Sequence, residues 1–414
     1  MSFDRATDFP THLSVDEARA RIVEVCAAHA LARESVPIER ALDRILAEDI
    51  VATHAIPPFA NSAMDGFALR AADLPLDATK RFHLRGTMLA GASEALRVGV
   101  DECVRITTGA PLPIEADTVV IKERVRVEGE FVLVEPGEAA HANVRSAGED
   151  YAAGEITLRA GERLSAARLG VLASCGRAHA QVSARPRVAL IATGDELVPP
   201  GQALGFGQIH DSNRYSLAGF LQGIGIELVS SRHVRDDPGA LREALQDAAQ
   251  RSDIVISSGG VSAGEADYFP NLLAELGRVH FWKVRMKPGM PFLCGEIGNA
   301  VYFGLPGNPV SSVATLLALV APGLAAMQNA RLPRSSWRAQ LGAPIRKKHD
   351  RTEFLRARLD SRADGTLVAT ALDRQGSGMQ RGLADADALI VVPEQARELK
   401  VGDVVEVLRL SGLC

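Results

Sequence analysis

The stretch Asp253-Ile254-Val255-Ile256-Ser257-Ser258-Gly259-Gly260-Val261-Ser262-Ala263-Gly264-Glu265-Ala266-Asp267 decides the fold. Its apolar start reads as a buried strand. The two adjacent glycines, the small hydroxyl residues and the third glycine let backbone N–H groups close on an anion. Glu265 and Asp267 put carboxylates beside that cradle, as phosphate chemistry through a divalent cation requires. The spacing fits neither the dinucleotide fingerprint nor the Walker loop, which weighs against the generic nucleotide sites. A glycine-rich turn at a strand end is the plainer alternative.

Outward from that strand, residues 187–330 alternate strand and helix. Val188-Ala189-Leu190-Ile191-Ala192, Ile226-Glu227-Leu228-Val229, Val279-His280-Phe281-Trp282-Lys283 and Val301-Tyr302-Phe303 read as strands. Asn213 to Leu221 and residues 268–276 read as helices, and Asp237 caps a third with Pro238 at its first position. This series predicts a doubly wound, mainly parallel open sheet. Residues 13–52 look helical, with Ser14 before Val15-Asp16-Glu17 as a capping box. Short strands separated by Gly and Pro fill residues 60–145, and a helix fits Ser165 to Ser174. After residue 331 the strands Leu355–Leu359, Thr366–Thr370 and Val404–Leu408 predict a small antiparallel domain. The chain is therefore read as a multidomain α/β protein. Its regions are a helical linker (1–52 and 146–182), an inserted β domain (53–145), a central α/β domain (183–330) and a C-terminal β domain (331–414).

The chain has 414 residues and a net charge of −5, so it presents no basic field for nucleic acid or an anionic membrane. Its five cysteines are scattered and odd in number, with no CxxC pair, which fits a reducing cytoplasm. The ten histidines show no HxxxH or HExxH spacing. The N-terminus carries no signal-peptide pattern. The apolar stretch from Val310 to Met327 is interrupted by Ser311, Ser312, Thr315, Pro322 and Gly323 and is expected to be a core helix.

Ligands of open parallel sheets bind outside the carboxyl ends of the strands. At those ends lie Thr193-Gly194-Asp195-Glu196, Arg235-Asp236-Asp237, the glycine loop, Lys283, Lys287-Pro288-Gly289-Met290-Pro291 and Leu305-Pro306-Gly307-Asn308-Pro309. Carboxylates there suit Mg²⁺, which keeps several waters and uses one or two protein carboxylates plus substrate phosphates. Lys283 and Lys287 supply positive charge for an oxyanion. A second polar cluster comprises Asn61-Ser62-Ala63-Met64-Asp65-Gly66, Arg105-Ile106-Thr107-Thr108-Gly109 and Gly148-Glu149-Asp150. By physics alone these are turns more often than sites.

PPFANSAMDGFA, RITTGAPLP, GED, TGDEL, IHDSNRY, SSGGVSAGEADY, KPGMPF and LPGNPVSS occur in this order over nearly the whole chain. In these motifs the chain resembles the molybdopterin molybdenumtransferases, the MoeA family that includes the gephyrin E domain. The resemblance implies a central domain similar to molybdopterin adenylyltransferase, a C-terminal β-barrel, and an elongated homodimer whose sites are completed by the partner subunit. It implies insertion of molybdate into adenylylated molybdopterin with release of AMP. It places Asp65, Thr108, Asp150, Glu196, Asp236, Asp267, Lys283 and Lys287 at functional positions, with Glu196, Asp236 and Asp267 organising Mg²⁺ and phosphate. Ser258, Gly259, Gly260, Ser262, Gly264, Pro306, Gly307 and Asn308 would seat the ligand, and Arg356 and Ser377 match further binding positions. Met290 stands where the family often has a second lysine (KPGKP), and Phe67 where Tyr is common. The competing readings are an adenylyltransferase, a tungstate-inserting homologue, or a scaffold that has kept the fold. An adenylyltransferase or a molybdoenzyme is the expected protein partner.

Overall fold

The computed structural model describes residues 9–261, 268–331 and 336–410. The chain separates into two compact units. One comprises Met1–Glu48, Ala160–Ser165 and Ala180–Cys414, the other Asp49–Arg159 and Ala166–His179.

The first unit is built on a seven-stranded sheet: β1 (Thr11–Leu13), β2 (Arg187–Thr193), β3 (Glu227–Val234), β4 (Ile254–Ser258), β5 (Arg278–Val284), β6 (Leu293–Ile297) and β7 (Ala300–Leu305). The spatial order is β1-β5-β6-β7-β4-β2-β3. Strands β2, β4 and β7 are buried nearly throughout, as expected for strands covered on both faces. Helices α2 (Asn213–Gly223), α3 (Pro238–Arg251) and α4 (Phe269–Leu276) alternate with them as crossovers. Asp237 caps α3 by accepting from the Ala240 N–H at 2.8 Å. The sheet is less uniformly parallel than the sequence implied. β6 runs antiparallel to both β5 and β7, because the turn Gly298–Asn299 returns the chain directly into the next strand. The edge strand β1 adds parallel to β5.

Before the crossovers comes α1 (Val15–Ala28), closed at its start by the expected box. Ser14 Oγ accepts from the Glu17 N–H, and Glu17 Oε2 accepts from the Ser14 N–H. The expectation of helix up to residue 52 is corrected. α1 stops at Ala28, Arg33–Pro37 pairs as a strand with His179–Ser183, a short 3-10 turn follows at Ile38–Arg40, and Ile50–Val51 pairs with Ile156–Leu158. Pro37 cannot donate to a helix ladder and its fixed φ suits an extended end.

Helix α5 (Pro309–Met327) is long and apolar enough to cross a membrane, but 83% of it is buried in this unit. It is α-helical except for a π-helical turn at Leu316–Val320. That widened turn directly precedes Pro322, which lacks an N–H and whose ring would crowd the carbonyl four residues earlier. α1 and α5 touch closely at Gly323, where a Cβ would lie 2.7 Å from Ile22 and 2.8 Å from Cys26.

Residues 336–409 form a barrel. Thr352–Ser361 pairs with both Leu367–Ala371 and Ala388–Val392, and Val404–Arg409 links Ala388–Val392 to Ser336–Leu341. The ring closes through a parallel pairing of Ser336–Leu341 with Leu367–Ala371, so the domain is mixed rather than wholly antiparallel. A two-residue strand, Met286–Lys287, pairs with Thr352–Glu353 and joins the barrel to the loop after β5.

The second unit holds a six-stranded sheet with the order Thr118–Ile121, Gly66–Leu69, Glu102–Ile106, Lys80–Met88, Phe131–Val134, Val125–Glu128. Phe67, Phe82, Cys103, Val120 and Val132 form its core. It corresponds to the predicted β insertion, extended to residues 49–159 and joined by the helix Ala166–Ser174.

Candidate functional site

At the carboxyl edge of the central sheet the chain leaves β2, β3, β4 and β7 in four consecutive polar turns. They enclose a cleft of about 690 Å³. After β2, Gly194 adopts φ 145°, and a Cβ there would lie 2.6–2.8 Å from the Glu196 carboxylate. After β4, Gly259 adopts φ 97°, a left-handed conformation that favours glycine. A Cβ on it would meet the Thr193 carbonyl oxygen at 2.6 Å. The Gly259 N–H donates to Leu305 O at 3.1 Å, which ties this loop to the end of β7.

Asn213, the first residue of α2, braces the same turns. Its Nδ2 donates to Ser258 Oγ at 2.9 Å and to Gly307 O at 2.6 Å. Asp236 accepts from the Thr193 hydroxyl, and its own N–H donates to Asp195 Oδ1 at 3.3 Å. His233 Nε2 donates to Gly194 O at 2.9 Å. Burial is therefore matched by hydrogen bonding around most of the rim, which fixes the turns before any ligand arrives.

The barrel contributes one wall. Gly378 and Gln380 line the cleft. Gln380 Nε2 donates to Ser212 Oγ, and Ser377 O accepts from the Val310 N–H at 3.1 Å. Arg356 supports that segment from beneath. It is wholly buried, and its Nη1 donates to Gly376 O at 2.9 Å and Met379 O at 3.4 Å. Among the described residues its Nε and Nη2 have no hydrogen-bond partner, and burial pulls the guanidinium pKa down.

Of the residues expected from sequence, Glu196, Asp236, Ser258, Gly259, Gly260, Pro306, Gly307 and Asn308 all line this one cleft. Ser262, Gly264 and Asp267 lie outside the described residues. Lys283 and Lys287 are not part of the cleft wall formed by the described residues. Lys283 has φ 66° and its Nζ stands 4.1 Å from the Trp282 ring centroid. Trp282 Nε1 in turn donates to the carbonyl of Val261, a lining residue. Lys287 Nζ lies 2.8 Å from Glu353 Oε1. Ser377 meets the first turn of α5 through its backbone carbonyl.

In the second unit, Asp65 Oδ1 accepts from the Thr108 N–H at 2.9 Å and from the Thr108 hydroxyl at 3.0 Å, while Lys122 Nζ is 3.5 Å from Oδ2. These bonds, the backbone one first, hold the Asp65 carboxyl below the usual carboxylate range. Asp65 remains exposed, so this ordered carboxylate faces solvent. Asp150 is exposed in the turn after Gly148, with its N–H bonded to Ile56 O.

Sequence reasoning gave no role to Thr193, Asn213 or Gln380. Asn213 was visible inside the quoted IHDSNRY motif, and an amide at a helix start facing two glycine turns was the available signal. Gln380 gave none, because only tertiary packing brings the barrel to the cleft.

Among the described residues no three His, Cys, Asp or Glu side chains converge as a metal-holding set. Glu196 and Asp236 line the same cleft, however, and Mg²⁺ typically takes one or two protein carboxylates together with substrate phosphates. That donor set fits the ion.

Three family models match the chain in succession: the MoeA N-terminal region (domains I and II) over residues 13–176, a probable molybdopterin-binding domain over 189–326, and the MoeA C-terminal region (domain IV) over 338–410. The chain is 33% identical over 400 residues to the molybdopterin molybdenumtransferase of Haemophilus influenzae, covering 95% of this chain and 98% of that one. It is 32% identical over 423 residues to molybdopterin molybdenumtransferase 1 of Mycobacterium tuberculosis, covering 96% and 99%. The crystal structure of a molybdopterin biosynthesis MoeA protein from Pyrococcus horikoshii superposes with a TM-score of 0.83 at 27% identity, covering 96% of this chain and 99% of that one. In order of motifs, succession of domains and fold, the chain belongs to the MoeA family.

Proposed function

We propose that this chain is a molybdopterin molybdenumtransferase of molybdenum cofactor biosynthesis, which takes adenylylated molybdopterin and molybdate and releases AMP. The observation that carries the reading is the cleft at the sheet's carboxyl edge, with Glu196, Asp236 and the Ser258–Gly260 turn converging on it, in a chain matched end to end by relatives of that name. The Ser258–Gly260 turn, whose glycines admit close backbone approach, seats the substrate phosphate. Glu196 and Asp236, joined by Asp267, would hold Mg²⁺, which would supply charge neutralisation at the phosphate. Lys283 and Lys287 attract the oxyanion. The unpartnered donors of buried Arg356 favour the same charge from beneath the Gly376–Met379 segment. The working enzyme is a cytoplasmic homodimer, in which Asp65 and Thr108 of the partner subunit complete each site.

The test is incubation of the purified protein with adenylylated molybdopterin, with and without Mg²⁺ and with molybdate or tungstate, while AMP is measured. AMP release that needs both Mg²⁺ and molybdate is the expected result. Release with tungstate alone would reassign the oxyanion, and absence of release with every combination would overturn the reading.

A further inference from the structure

We propose that Glu353 is a positioning residue for Lys287, and that His349 steadies Glu353 on its other oxygen. This rests on the reading of Lys287 as a contact for the anionic substrate. Lys287 ends the short strand Met286–Lys287, and its partner in the parallel pairing is Glu353. The ammonium lies 2.8 Å from Glu353 Oε1. The two sides of the pair differ in exposure, with the lysine side chain 49% exposed and the glutamate 10%. A free lysine stem is spread over many rotamers. The buried carboxylate, built into the barrel wall, is the fixed half, so the ammonium takes its place from the barrel. One of its three protons is engaged there, and two remain to donate elsewhere.

His349 Nε2 stands 3.4 Å from Glu353 Oε2, within ion-pair reach but without hydrogen-bond geometry, and has no hydrogen-bond partner among the described residues. The Arg351 N–H donates to His349 Nδ1 at 3.3 Å, so the neutral ring carries its proton on Nε2, toward the glutamate. The other charges around this pair are already engaged. Lys347 Nζ donates to the carbonyls of Arg351, Pro393 and Glu394. Arg285 pairs with Asp350 and Glu394 at 3.3 Å each, and Arg397 donates to His349 O. Arg351 Nη1 points its donor at Met290 Sδ, 3.8 Å away. Glu353 is thus the carboxylate left to hold Lys287.

The competing role is a structural tether between barrel and sheet domain, and a double-mutant cycle separates the two. Oxyanion-dependent AMP release, as kcat and KM for molybdate, is measured for the parent, Lys287→Met, Glu353→Gln and the double variant, with thermal midpoints alongside. Glutamine keeps the shape and removes the charge. If Glu353 acts through Lys287, Glu353→Gln lowers kcat/KM about tenfold in the parent and by less than about twofold in the Lys287→Met background. Equal factors in both backgrounds, or a parent-like Glu353→Gln, would overturn the positioning role while leaving Lys287 intact. Parent-like activity of Lys287→Met would remove the lysine's own role and this one with it. Should Glu353→Gln fail to fold, His349→Gln enters the same cycle, with a loss confined to the Lys287 background expected and an equal loss in both backgrounds overturning it.

Discussion

Gly259 shows how much one residue can carry. With φ at 97° and its missing Cβ aimed at Thr193 O, Gly259→Ala meets both a backbone penalty and a collision at 2.6 Å. We expect a loss of about 1–3 kcal/mol, read from the chemical-denaturation midpoint, and weaker binding of a phosphate-bearing ligand. His349 offers a second test at this scale. Burial pushes its pKa below the ordinary value of 6.5, even though Glu353 pulls the other way. The unfolded imidazole therefore takes its proton first as pH falls. The associated stability is complete above about pH 6.5 and is lost as pH drops through the lower folded value. His349→Asn should flatten that part of the stability–pH curve, and an unchanged curve would show that another group sets it. The glycine turns and the acids beside them were readable from the sequence as positions, because the change from apolar to small and charged residues marks where each buried strand stops. The contacts that organise them were not readable. Nothing in local sequence says that Asn213 bridges Ser258 and Gly307, or that Glu353 meets Lys287, since each bond joins segments far apart in the chain.

Among the elements, α1 is the one whose start the sequence specifies most fully. Ser14→Ala removes the acceptor for the Glu17 N–H and should cost about 1 kcal/mol, with Ser14→Gly costing less. Thermal midpoints of the two variants check the order. Helix α3 was equally legible, since Asp237-Pro238 is a start signal that needs no tertiary help. The end of α1 was misread because residues 29–52 keep apolar residues at helix-like intervals while pairing elsewhere as strand and turn. Strand β1, three residues long, pairs with β5 and leaves no periodic trace. The π turn in α5 was hidden for a related reason: Pro322 announces a disturbance but not its form.

For the whole molecule, the order of domains was legible from the change of hydrophobic period along the chain, and their exact seams were not. The β insertion runs to residue 159 and takes the Ala166–Ser174 helix with it, because that packing depends on three-dimensional neighbours. The proposed homodimer makes a prediction at this level. Asp65→Asn and Asp236→Asn should each be inactive, and after dissociation and reassociation of the mixture about a quarter of parental activity should return. Half of the dimers are then hybrids, each with one unaltered site of two. Hybrid dimers confirmed by native mass but lacking activity would place both acids in the same site of one subunit.

The bond between Val310 N and Ser377 O gives the protein an internal gauge. In the first turn of a helix an amide has no acceptor of its own, and in α5 the barrel supplies one. Solvent deuterium can therefore enter at Val310 only when the barrel segment lets go, even while the helix behind it stays folded. The exchange rate of this single amide converts directly into the free energy of opening the cleft wall. If ligand holds that wall shut, the rate will slow in proportion to site occupancy, so that binding can be followed from the backbone with no label on the substrate.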